Sequence, residues 1–152
     1  IIYTIPKKQL KDLNKLNNFK IKHSATIFLD NILKQSKNST KSELFVDIST
    51  NNFDVAYIKK SKLIFYNNFK FKTMDDFLYY ILNCYNTLEL NSNEITLRIS
   101  GEFNKEKTLK QLKKYIKKIV IENKPNSSLY SHLFNNVPNH YFHKLYNQYK
   151  CE

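Results

Sequence analysis

Residues 43–121 predict an α/β fold built on a mixed five-stranded sheet, and three observations carry that prediction. The apolar-rich runs 44–48, 53–58 and 63–69 are β-branched and aromatic and are separated by short polar turns, the pattern of an antiparallel meander. Segment 73–90 then repeats its apolar residues at helical spacing and is long enough to cross back over a sheet. A short apolar run, 94–99, follows as a fourth strand buried on both faces, and a second helix, 105–118, leads to a fifth strand at 119–121.

In chain order, residues 1–5 form a β-branched run stopped by Pro6, and Leu10, Leu13 and Leu16 mark a helix over 7–16. Residues 19–23 alternate as a short strand, and Ser24 is placed to cap a helix carrying Ile27, Phe28, Ile32 and Leu33. The first strand starts at residue 1 without a methionine, so the chain is expected to have been cut from something longer; the polar stretch 35–42 is the expected linker.

In the strand 44–48, Leu44, Val46 and Ile48 face one way and Phe45 and Asp47 the other, so an acid sits near its C-terminal end. Residues 49–52 make the turn, with asparagine tolerating a positive φ in place of glycine. Asp54 alternates with Phe53 and Val55 and is expected to face away from the core. Thr73 and Asp76 fit a capping box, Asp75 and Asp76 suit the helix dipole, and Phe77, Ile81, Tyr85 and Leu88 form the buried stripe.

Gly101, the one glycine of the chain, stands between Ser100 and Glu102. Helix 105–118 is expected to bury Leu109, Leu112 and Ile116 and to show seven lysines. Residues 125–128 read as a loop, and 129–149 as an aromatic-rich tail that Pro138 divides into two helices. Three strands, helix, strand, helix, strand is the layout of a ribonuclease-H-like half-domain.

Composition removes several functions. No run approaches the ~20 apolar residues of a membrane span, and no leader opens the chain, so the expected compartment is the cytoplasm. Cys84 and Cys151 cannot make a disulfide framework or a four-cysteine zinc site. The formal charge of +12 invites a nucleic-acid reading, but Arg98 is the single arginine among 25 basic residues, and base-edge recognition favours arginine. His140 and His143 could share a helical face, yet Glu152 is the only acid in the tail, so no metal is expected there. Asp47, Asp54, Asp75 and Asp76 could suggest the carboxylate cluster of a metal nuclease, but Asp54 is expected to face away from the core and Asp75 and Asp76 are explained by capping.

The runs LFVDISTNNFDVAYIKKSKLIFYNNFKFKTMDDFLYYILN, ITLRISGE and VPNHYFHKLYN resemble an uncharacterised Bacteroidetes-type domain family with an actin-like ATPase fold. The resemblance implies that 1–36 is the end of a first actin-like half and 43–152 a complete second half. Actin-like ATPases hold nucleotide between their halves, against a loop opened by an acid two positions before a glycine and a glycine pair after the fourth strand. By that resemblance Asp47 takes the acidic position, but Ser49 stands where glycine would admit a phosphate, and Gly101 lacks its pair.

The resemblance therefore implies a vestigial nucleotide site at Asp47, Ser49 and Gly101, with no catalytic residue, metal or cofactor. The expected function is a non-catalytic scaffold or protein-interaction module that meets its partners through the aromatic tail and a sheet side left bare by the missing half. The alternative is an ATP-binding switch in which Asp47 acts through magnesium-bound water. A third reading is a basic nucleic-acid binder using Lys110, Lys113, Lys114 and Lys117.

Overall fold

The structure is a computed structural model that describes residue 7, residues 22–125 and residues 132–148. Apart from residue 7, the strand and helix expected over 1–16 lie outside the described residues, as do most of the strand expected over 19–23 and residues 126–131 and 149–152. The described chain runs α1 (Ser24–Gln35), β1 (Ser42–Ile48), β2 (Asn52–Lys59), β3 (Lys62–Lys70), α2 (Met74–Thr87), β4 (Thr96–Gly101), α3 (Lys105–Leu112), β5 (Ile119–Ile121), a 3₁₀ helix (His132–Asn136) and α4 (His143–Asn147).

The sheet order is β3-β2-β1-β4-β5. The first three strands are an antiparallel meander, and β4 and β5 run parallel to β1. Register sets Asp47 beside Asp54 on one side and Ser100 on the other, and Ile48 beside Gly101. This is the predicted α/β architecture, and its central strand β1 is buried along almost its whole length because helices cover both faces.

On one face Leu44, Val46, Phe53, Val55, Leu97 and Ile99 pack against Phe77, Ile81 and Tyr85 of α2, with Leu112 and Ile116 closing the layer. Phe53 centres an aromatic group, 4.9 Å from Phe77 edge-on and 5.5 Å from Phe69. Such pairs contribute roughly 0.5–1.5 kcal/mol each beyond the area they bury. On the other face Phe45, Ala56 and Ile58 meet Phe28, Leu29 and Ile32 of α1. The sheet side expected to be bare is therefore covered by the chain's own first described helix. Segment 35–42, expected as a linker, is tied down: Ser61 Oγ donates to Ser36 O at 2.8 Å and to Ser39 O at 3.0 Å.

Arg98 leaves β4 on this second face and is held by Glu43, with its Nε 2.9 Å away, and by Glu122. The single arginine is thus an internal strap joining β4 to the start of β1 and to the segment that follows β5.

Helix α2 begins as expected. Asp76 N–H donates to Thr73 Oγ1 at 3.1 Å and the Asp76 carboxylate accepts from the Thr73 and Lys72 N–H groups at 3.0 Å. Those backbone donors hold the Asp76 carboxyl below its ordinary value. Thr73→Ala removes one half of the reciprocal cap, and an unfolding titration is expected to show a loss of about 1 kcal/mol.

Several boundaries differ from expectation for local reasons. The cap of α1 is His23, whose Nδ1 accepts from Ala25 N–H at 3.2 Å, and Ser24 is the first helical residue. Strand β4 starts two residues late because Asn91 O accepts from both Glu94 and Ile95 N–H and folds 91–95 into a turn. Helix α3 ends at Leu112 rather than 118, since lysines stacked at three- and four-residue spacing repel and Lys118 O must reach Leu97 N–H to start β5. Ile116 is still buried and the seven lysines are exposed. In the tail, the two expected helices are short, because Tyr141 N–H bonds Pro138 O and Phe142 turns left-handed at φ 53° before α4 begins.

Candidate functional site

The C-terminal ends of β1 and β4 open on a cavity of about 180 Å³ lined by Asp47, Ser49, Gly101, Phe142, His143 and Lys144, among others. The three residues singled out in the sequence, Asp47, Ser49 and Gly101, are brought together there. Parallel pairing of β1 with β4 does this, since it sets Asp47 and Ile48 level with Ser100 and Gly101.

Asp47 and Asp54 are direct cross-strand neighbours, each 2 % exposed. Like charges placed opposite each other repel, and burial strengthens the repulsion, so the pair needs a cation. Lys144 supplies it: Nζ lies 2.9 Å from Asp47 Oδ2 and 2.7 Å from Asp54 Oδ2. Burial alone pulls the Lys144 pKa down, but Asp47 and Asp54 outweigh it and hold the ammonium above its ordinary value. The expectation for Asp54 is corrected: it faces away from the main core, as its alternation requires, but α4 buries it in an ion triad.

The remaining carboxylate oxygens are also engaged. Asp47 Oδ1 accepts from Ser100 Oγ at 2.7 Å, and Asp54 Oδ1 accepts from Tyr66 OH at 2.8 Å and Asn68 Nδ2 at 2.9 Å. Burial and the Asp54 carboxylate raise the Tyr66 phenol well above its ordinary value, so it remains a donor.

The backbone amides around the cavity are turned inward in the same way. Ser49 N–H donates to Asn52 O at 2.8 Å, Gly101 N–H to His140 O at 2.7 Å, and Glu102 N–H to Ile48 O at 2.8 Å. Anion cradles are built from amides aimed at the ligand, and these three are committed to the fold. Gly101 has a tight structural reason to be glycine: at φ +103° an added Cβ would sit 2.0 Å from Ile48 O.

His140 and His143 do not share a helical face. His140 lies in the turn before α4, with Nε2 3.2 Å from Phe103 O and its ring 4.4 Å from that of Phe103. His143 opens α4; burial depresses its pKa, with Asp47 and Glu122 pulling the other way. Among the described residues no group of three or more His, Cys, Asp or Glu side chains is arranged to hold a metal.

Lys144 is the residue that sequence reasoning missed. A signal existed in the partner: Asp47 and Asp54 stand equally far from the 48–53 turn, which puts two acids side by side on one face of a hairpin and calls for a buried cation.

Comparison with known families places residues 1–119 in the family described as "Protein of unknown function (DUF3822)". The chain belongs to that family. Among solved structures it is similar to a Bacteroides thetaiotaomicron protein described as having an actin-like ATPase fold and unknown function, with a TM-score of 0.77 at 20% identity. That similarity covers 97% of this chain and 52% of the other, so this chain spans about half the length of its neighbour. The family chain therefore has the actin-like fold. No curated protein matches it. Among the described residues no helix is long and apolar enough to cross a membrane.

Proposed function

We propose that this actin-like chain is a non-catalytic scaffold or protein-interaction module in the cytoplasm, a pseudo-ATPase whose nucleotide position is closed by its own Lys144. The observation that carries the reading is the ammonium seated between Asp47 and Asp54, where a magnesium-linked acid would have to be available. An internal cation at 2.7–2.9 Å neutralises both carboxylates and leaves neither free to order a metal-bound water. The inward-turned amides of Ser49, Gly101 and Glu102 support the same reading from the phosphate side. Under it, Asp47, Ser49 and Gly101 are vestiges of a nucleotide site. Residues up to 36 would belong with a first half, and 43–152 would form the second.

Protein partners are proposed to meet the chain near the mouth of the closed site, where Phe142 is 39% and Leu145 57% exposed. Isothermal titration of the full-length protein with ATP and magnesium is expected to give no saturable heat. Saturable binding that Asp47→Ala abolishes would defeat the scaffold reading and establish the ATP-dependent switch.

A further inference from the structure

The two ends of the sheet differ in charge. At the end where β1 begins, Lys41 leads into β1, and Lys59, Lys60 and Lys62 form the β2–β3 turn; all four are exposed. Backbone bonds draw other connections to the same end. Lys60 N–H donates to Lys41 O at 3.2 Å, Lys117 N–H to Ser92 O at 3.1 Å, and Leu97 N–H to Lys118 O at 2.9 Å. The exposed lysines that follow α3 therefore arrive at this pole from the far edge of the sheet. With strands about 4.8 Å apart, a five-strand row spans roughly 19 Å.

Glu89 and Glu94 are the exposed acids at this end among the described residues. The opposite end is mixed, with Lys70, Lys72, Lys105 and Lys107 beside Asp75, Glu102 and Glu106. A lysine coat arising from composition alone would not sort between the ends in this way.

The basic pole is also apolar at its rim. Leu63 and Ile64 follow directly on Lys62 and are 38% and 54% exposed, Ile64 being the extra residue where the β2–β3 register shifts. At the other flank Tyr115, 51% exposed, follows Lys113 and Lys114 and borders Glu89, and Val120, 39% exposed, shares a hollow with Lys41 and Lys118. Lysine heads at the level of lipid phosphates with aliphatic tips in the acyl boundary is the chemistry of an anionic bilayer surface. A nucleic acid would use Tyr115 for stacking but would leave Leu63 and Ile64 without a role.

We propose that this pole is a peripheral docking surface for an anionic lipid bilayer, with the β2–β3 turn as its leading edge. The test is co-sedimentation of the full-length protein with vesicles of phosphatidylcholine alone and of phosphatidylcholine with about one-third phosphatidylglycerol. Binding is expected only to the anionic vesicles, and about 0.5 M salt is expected to release it. The combined variant Lys59→Glu, Lys60→Glu, Lys62→Glu is expected to weaken binding by about 100-fold or more. The variant Leu63→Ser, Ile64→Ser is expected to weaken it by about tenfold at unchanged charge. Circular dichroism of both variants confirms that they are folded.

Failure to sediment with anionic vesicles at low salt overturns the proposal, as does vesicle binding that neither folded variant alters. Binding of duplex DNA or RNA that survives the serine variant, without vesicle binding, reassigns the pole to nucleic acid. The pole is remote from Asp47 and Lys144, so either result leaves the ATP titration to be judged on its own.

Discussion

Replacing Lys144 by methionine is expected to lower unfolding stability by about 3–5 kcal/mol, the cost of leaving buried charge without its partner. Methionine keeps most of the stem's volume, so the loss reads the ammonium and not a cavity. The two carboxylates it abandons are cross-strand neighbours and almost fully buried, and no second cation is within ion-pair distance of either among the described residues. A triple variant, Lys144→Met with Asp47→Asn and Asp54→Asn, removes all three charges while amides keep partners for Ser100 and Tyr66. It is expected to recover to within about 1–2 kcal/mol of the parent, because a buried ion group as a whole adds little net stability.

The pH dependence has a definite sign. The folded-state pKa of Lys144 is raised, so its contribution is complete below the unfolded value of about 10.4 and is lost as pH climbs through the higher folded value. Parent and Lys144→Met should therefore converge in strongly alkaline buffer. Urea titrations across that range check it, and a loss under about 1 kcal/mol at neutral pH would mean that the triad is not closed in solution.

Much of the fold is legible because burial imposes period. Leu44, Val46 and Ile48 alternate with Phe45 and Asp47, and the two sets occupy opposite faces of β1 as the pleat requires. The helix stripe of Phe77, Ile81 and Tyr85 is equally plain, and Thr73 announces its start. Boundaries fail where a local polar bond overrules the apolar pattern. Ile95 and Leu97 look alike in sequence, yet Asn91 draws Ile95 into a turn and leaves Leu97 in the strand. Leu109, Leu112 and Ile116 keep helical spacing past the end of α3, where pairing of β5 with β4 takes over.

At the site, Asp47 and Gly101 are readable because each breaks its local pattern, one as an acid in an apolar strand and the other as the chain's single glycine. Lys144 is not readable. It lies 90 residues from Asp54, and nothing local marks it out in so lysine-rich a chain. Its role is created by tertiary folding, when α4 packs against α1 and β4 and extends Lys144 to a hairpin that already carries two acids.

Gly101→Ala is the second substitution with a large expected effect, and it separates a glycine kept for shape from one kept for a ligand. At φ +103° a side chain is strained before any contact is considered. The added Cβ would then lie 2.0 Å from Ile48 O and 2.5 Å from Ile48 N, and both are backbone atoms of the central strand, which cannot rotate aside. Relief requires β1 and β4 to part at their C-terminal ends, which also disturbs the Gly101 bond to His140 O and the Glu102 bond to Ile48 O. The bond to His140 O joins the tail that presents Lys144 to the sheet, so the damage spreads to the ion triad. Strain, clash and lost hydrogen bonds together are expected to cost about 4 kcal/mol or more, in the range reserved for defects at special backbone positions. Thermal unfolding of the variant measures it. A variant within about 1 kcal/mol of the parent would show that the two strands do not meet this closely at Ile48, and the structural reason for this glycine would then be lost.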